Sequence, residues 1–170
     1  EKAARTLANA KNPLIMSGDH MAVRDASGAV AALAELAGAP VMQGSGRQWN
    51  FPTTHPLCIG PLGFMGGMRE NLAGYDVIVA IGTVDVDTYA MGKDYAISQA
   101  IYADPGRGAQ DLHDALDRVF TSGQRAEAQS RRVRITERTA EARAKAEAQM
   151  QAEWNNTPIP ATRLIGEIRN

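Results

Sequence analysis

The segment Asp76–Thr83, DVIVAIGT, carries the first architectural clue. Val77 to Ile81 are apolar without interruption, and Gly82 stops the run. A strand with one wet face would alternate apolar and polar residues. An unbroken run fits a strand buried on both faces of a parallel sheet. The same signature recurs upstream in PLIMSG at 13–18 and, shorter, in PVMQG at 40–44. Downstream, QAIYAD at 99–104 reads as a further strand, broken by Pro105 and Gly106.

Helical patterns fill the intervals. EKAARTLANAKN at 1–12 sets Ala4, Leu7 and Ala8 on one face, with the stem of Lys11 beside them, before Pro13. In VRDASGAVAALAELAGA at 23–39, Val30, Leu33, Ala34 and Ala37 recur at helical spacing and Gly38 is a suitable stop. A polar loop is expected from Ser45 to about Pro61, then a glycine-rich turn (Gly60, Gly63, Gly66, Gly67) and a short helix near Met68–Leu72. DLHDALDRVF at 111–120 lines up Leu112, Leu116 and Val119. Strands alternating with helices predict an α/β fold, a Rossmann-like parallel sheet with helices on both faces.

After Gly123 the composition changes. Residues 124–153 are rich in Ala, Arg, Glu and Gln and contain neither Gly nor Pro. Glu127–Arg131 and Glu141–Lys145 fall in the favourable i,i+4 order. A long, solvated, weakly amphipathic helix is predicted, followed by a break at NNTPIP and a new helix in ATRLIGEIRN. Two units are therefore expected: a central α/β domain over 1–123 and a C-terminal helical linker over 124–170.

The 170 residues suffice for one domain with a real core. The chain is 44% hydrophobic and 22% charged, with formal net charge -1, which gives no reason to expect nucleic acid or an anionic membrane as partner. One cysteine, Cys58, cannot form an internal disulfide; it reads as a small core residue, and a reducing, cytoplasmic setting is expected. No apolar run is long enough to span a bilayer. A chain opening on Glu1 reads as a piece of a longer protein.

Familiar catalytic patterns are absent. The first strand is followed by SGDHMAVRD, with Gly18 as its single glycine, so the G-x-G-x-x-G dinucleotide fingerprint is missing. Gly44 and Gly46 begin such a spacing, but Trp49 occupies the third position. His20, His55 and His113 are scattered without metal-ligand spacing, and no G-x-S-x-G elbow surrounds Ser17 or Ser45. Asp85 and Asp87 follow a strand end and read most simply as a solvated loop. Asp19, in SGDH, reads as a turn or helix-cap residue; with Asn50 downstream it only imitates a Mg²⁺ motif. No catalytic and no metal-binding residue is assigned.

The order of AKNPLIMSG, ALAELAGAPVMQG, FPTTHPLCIGPLG, LAGYDVIVAIGT and QAIYADP resembles the central domain of thiamine-diphosphate-dependent enzymes of the acetolactate synthase and benzoylformate decarboxylase-like family. Phe51, Pro52, His55 and Pro56 carry its most characteristic piece, and the nearest likeness is to the benzoylformate decarboxylase-like branch. The resemblance covers about Ala4 to Phe120, and TPIPATRLIGEI resembles the linker into the next domain.

The resemblance implies the DHS-like NAD/FAD-binding fold, similar to that of sirtuins. It implies a structural central domain of a larger lyase or transferase acting on a 2-oxo acid by decarboxylation or carboligation. Such a piece is expected to be inactive alone. Thiamine diphosphate and Mg²⁺ would be bound by flanking domains, in a parent that is a homo-oligomer, dimer or tetramer. Flavin-binding relatives carry an arginine after the strand matching DVIVAIG; Thr83, Val84 and Asp85 stand there, which argues against FAD. Where decarboxylases carry a histidine, Asp87, Thr88 and Tyr89 are found, so a transferred role is not assigned. The alternative is an adenine-nucleotide or FAD-binding Rossmann-like domain, with Gly18, Gly82 and Thr83 giving backbone contacts and Asp104, at a strand end, accepting from a ribose hydroxyl.

Overall fold

A computed structural model describes residues 1–44, 50–61, 72–83 and 97–169. Ser45, Gly46, Trp49, Gly63, Gly66, Gly67, Asp85, Asp87, Thr88, Tyr89 and the start of the helix expected near Met68 lie outside the described residues. In chain order the elements are α1 (Lys2–Ala8), β1 (Pro13–Ser17), α2 (His20–Val23), α3 (Ser27–Ala37), β2 (Val41–Gln43), β3 (Cys58–Pro61) and β4 (Val77–Ile81). Three helices follow: α4 (Pro105–Val119), α5 (Ser122–Glu153) and α6 (Ala161–Arg169).

The four strands form one parallel sheet in the order β3-β2-β1-β4. Strand pleating sends successive side chains to opposite faces, and both faces are apolar. Ile15, Val41, Val77, Val79 and Ile81 join one cluster with α1 (Ala4, Leu7), α3 (Val30, Leu33, Ala34, Ala37) and α4 (Ala109, Ala115, Leu116). Leu14, Met16, Met42, Ile78 and Ala80 face the other way, where the described cover is Leu72 and Tyr75. The unbroken apolar run at 13–16 arises because β1 is buried on both faces, while Val77 to Ala80 of β4 are partly buried.

β3 falls inside the segment expected to be loop. Pro56, Gly60 and Pro61 mask it in the sequence. Val41 pairs with Cys58 and Met42 with Gly60, so Ile59 is an extra residue at a bulge. Gly60 adopts φ 98°, and a β-carbon there would meet nothing within 4 Å among the described residues, so its backbone conformation calls for glycine. Cys58 is buried, as expected.

QAIYAD is not a strand. Residues 97–104 run irregularly, and Ile101 and Tyr102 are 63% and 99% exposed. A run this short does not hold a strand without pairing, and its last residue is taken by α4. Asp104 Oδ1 accepts from the backbone N–H groups of Gly106 and Arg107 at 3.0 and 3.2 Å, an N-cap with Pro105 in the first turn.

α3 ends at Gly38, whose φ is 58°. A β-carbon at Gly38 would press into the carbonyl of Ala128 on α5, so both conformation and contact require glycine. α5 opens with a capping box: Gln124 N–H donates to Thr121 Oγ1, and Thr121 N–H donates to Gln124 Oε1. The helix covers the predicted span but is not simply solvated. Arg131, expected in an exposed pair with Glu127, turns inward. Its Nη2 donates to the Ala37 carbonyl at 2.8 Å and its Nε to that of Gly38 at 3.4 Å. These are orphan carbonyls at the end of α3. Burial pushes the Arg131 pKa down, and the charge of Glu127 opposes that shift. α6 folds back on α5, with Gly166 against Trp154 and Met150.

Candidate functional site

In open parallel sheets ligands gather beyond the carboxyl ends of the strands, where strand order reverses. Here β1 leads through helices to β2 on one side and is flanked by β4 on the other, so the reversal lies between β1 and β4. Gly18 and Gly82 end those strands.

The structure brings Gly18, Gly82 and Thr83 together. A β-carbon on Gly18 would lie 2.7 Å from Thr83 Cα and would strike the Gly82 carbonyl. Gly82 has φ 67°, and a β-carbon there would lie 2.9 Å from the Met21 amide nitrogen. Backbone bonds tie the two turns together through Gly18 and the Gly82 carbonyl. Gly18 N–H donates to Ile81 O at 2.9 Å, His20 N–H to Gly82 O at 3.0 Å, and Met21 N–H to Gly18 O at 3.1 Å. The glycines let the turns after β1 and β4 approach each other closely. α2, which follows, is a four-residue helix.

Asp104 has other partners: Gly106, Arg107 and Arg24. Beyond capping α4, its Oδ2 lies 4.0 Å from Arg24 Nε. Its first oxygen is thus engaged by two amides and its second faces a guanidinium.

A second feature was not foreseen. Ser17, fully buried at the end of β1, donates through Oγ to Asn50 Oδ1 at 2.7 Å, and Asn50 Nδ2 donates to Ser17 O at 3.1 Å. Gln43 Nε2 donates to Phe51 O at 2.9 Å. These bonds hold Asn50 and Phe51 at the carboxyl ends of β1 and β2. Residues 50–54 then form one wall of an open groove of about 510 Å³, with Met21, Asp25 and Ser27 opposite. Asn50 is the downstream member of the imitation Mg²⁺ motif, and its amide is occupied by Ser17. The sequence signal was a polar pair, Ser17 and Asn50, but nothing local links residues so far apart.

His55 continues the same loop. Its Nδ1 accepts from Leu57 N–H at 3.2 Å, so the ring proton sits on Nε2, 3.4 Å from Glu35 Oε1 on α3. Phe51 meets the ring edge-on at 5.1 Å. The Phe-Pro…His-Pro signature therefore organises the loop. No group of three or more His, Cys, Asp or Glu side chains is placed to hold a metal ion among the described residues. Nor is any helix of the described residues long and apolar enough to cross a membrane.

Residues 1–112 match the family model described as thiamine pyrophosphate enzyme, central domain. The chain belongs to this family and comprises its central domain. Among similar proteins, a sulfoacetaldehyde acetyltransferase of Castellaniella defragrans is 45% identical over 85 residues, 49% of this chain and 14% of that protein. A "Probable acetolactate synthase large subunit" of Methanocaldococcus jannaschii is 28% identical over 139 residues, 68% of this chain and 24% of its own length. The chain thus spans a quarter or less of these relatives. Among solved structures, a thiamine diphosphate-dependent 4-hydroxybenzoylformate decarboxylase of Rhodococcus jostii aligns with TM-score 0.56 at 24% identity, over 66% of this chain and 26% of that one. A benzoylformate decarboxylase of Polynucleobacter necessarius gives TM-score 0.54 at 24% identity, over 68% and 26%. At that identity the structures speak to the fold, and the fold is shared.

Proposed function

We propose that this central domain is a structural module of a larger thiamine-diphosphate-dependent enzyme that makes or breaks a bond beside the carbonyl of a 2-oxo acid, and carries no catalytic group itself. The observation behind the reading is the family match over residues 1–112. When bound, thiamine diphosphate supplies a thiazolium carbon nucleophile and an electron sink for such chemistry. In this reading the cofactor and Mg²⁺ are held by the flanking domains, which are the chain's partners within a cytoplasmic homo-oligomer. The fit is consistent with that division of labour: the glycines at the sheet switch point close on backbone, and Asp104 caps a helix. The boundary is placed at 123/124, with residues 124–170 leading toward the cofactor-binding domain. The names of the more similar relatives favour transfer or ligation over simple decarboxylation.

The test is an assay of the purified chain with thiamine diphosphate, Mg²⁺ and pyruvate, benzoylformate or sulfoacetaldehyde. No turnover is expected; turnover would overturn the reading. A parent gene without a downstream G-D-G…N segment would count equally against it.

The convergence of Gly18, Gly82 and Thr83 beside the groove favours one second reading, an adenine-nucleotide or FAD site. It requires heat of binding when FAD, ADP or NAD is titrated into the chain at millimolar concentration, and none is expected.

A further inference from the structure

Arg143 stands about two turns of helix beyond Ile135, which packs against the core, and reaches the loop that lines the groove. Its Nη1 donates to Thr54 O at 3.1 Å, and its Nη2 donates to Thr53 O at 2.6 Å and to His55 O at 2.9 Å. Three successive carbonyls of one loop thus converge on one planar guanidinium. A fork with several fixed donors suits such a set, and a lysine ammonium does not reproduce it. Charge-assisted bonds of this kind are stronger than neutral ones.

The same loop is tied to α5 by a second route. His55 faces Glu35 of α3, and Glu35 Oε2 lies 3.7 Å from Arg132 Nη1. Arg131, next in line, holds the end of α3. The loop, α3 and α5 therefore form a closed polar circuit, and Thr53 and Thr54 within it also line the groove.

We propose that Arg143 is a positioning residue that fixes the loop 50–55, and with it one wall of the groove, so that the seating of α5 sets the groove's shape. The proposal is independent of which reaction the parent enzyme carries. It explains why a helix with a thin apolar face runs so far along the domain: its far half is fastened to a loop instead of a core.

The loop has its own reporters. His55 N–H donates to Pro52 O, Leu57 N–H to His55 Nδ1, and Cys58 N–H to His55 O. Amide hydrogen exchange at His55, Leu57 and Cys58 should be compared in the unaltered chain, Arg143→Ala, Arg143→Lys and Arg134→Ala. Arg134 bonds within its own helix, to Ser130, and serves as control. The expected result is exchange faster by about 10-fold or more at these three amides in Arg143→Ala, from the loss of charge-assisted bonds. Arg143→Lys should restore little of the protection, while β1 and β4 amides and the Arg134→Ala profile stay unchanged. Unaltered exchange at His55, Leu57 and Cys58 would overturn the proposal. So would a uniform loss of protection across β1 and β4, because Arg143 would then hold the whole fold and not the loop.

Discussion

Two residues separate α4 from α5, yet the helices are fixed to the domain by different chemistry. α4 buries Ala109, Ala115 and Leu116 and leans Leu112 and Val119 on the same cluster. That is anchoring by apolar area, and a fully buried leucine contributes about 1.5–3 kcal/mol. α5 is twice as long and buries Ala128, Arg131 and Thr139. It is held by arginines that reach main-chain carbonyls on α3 and on the loop after β2. The pairing contrasts a helix held by an apolar stripe with one whose few core contacts, Ala128 and Ile135, are joined by arginines that reach main-chain carbonyls.

The contrast makes measurable claims. Leu116→Ala should cost the most, about 2–5 kcal/mol in urea unfolding, because it opens a cavity in the centre of the α1–α3–α4 cluster. Arg131→Met keeps the stem but strands the Ala37 and Gly38 carbonyls. The expected loss is about 1.5–3 kcal/mol by the same measurement; a neutral result would mean that α5 is not anchored as described. The two caps should be near equals, with Asp104→Ala and Thr121→Ala each lowering stability by about 1 kcal/mol. A much larger effect at Asp104 would give it a role beyond capping. Least of all, Glu167→Gln removes the Arg163–Glu167 pair on α6, 3.7 Å apart and open to water, and should shift stability by no more than about 0.5 kcal/mol.

Hydrogen exchange along α5 probes the contrast without a substitution. Amides near Ala128 and Arg131 should exchange more slowly than those between 145 and 153, where no buried residue follows Thr139. Protection equal to that of β4 throughout would make α5 part of the core and move the proposed boundary at 123/124.

What the sequence revealed followed from which forces are local. Continuous apolar runs betrayed β1 and β4, and helical spacing picked out Val30, Leu33, Ala34 and Ala37, because burial acts on side chains in register with their own backbone. Gly38 was legible as a stop through its left-handed conformation, although its contact with Ala128 was not. β3 was hidden by Pro56, Gly60 and Pro61, which normally punctuate loops, while QAIYAD looked like a strand on composition and lies exposed. The site was least legible. Gly18, Gly82, Thr83 and Asp104 read as strand-end residues in the sequence, but whether such residues meet a nucleotide or one another depends on how distant strands approach. The bonds from Ser17 to Asn50 and from Arg143 to residues 53–55 join segments that no spacing rule connects.

The two anchoring arginines give α5 a property of a measuring rod. Arg131 and Arg143 are separated by about 18 Å along the axis at 1.5 Å per residue, and their directions around it are set by the same repeat. One inserted residue between them would swing Arg143 by about 100° and lift it off its three carbonyls, leaving Arg131 seated. The distance between the end of α3 and the loop 50–55 is thereby recorded in the number of residues that α5 spends between its two grips.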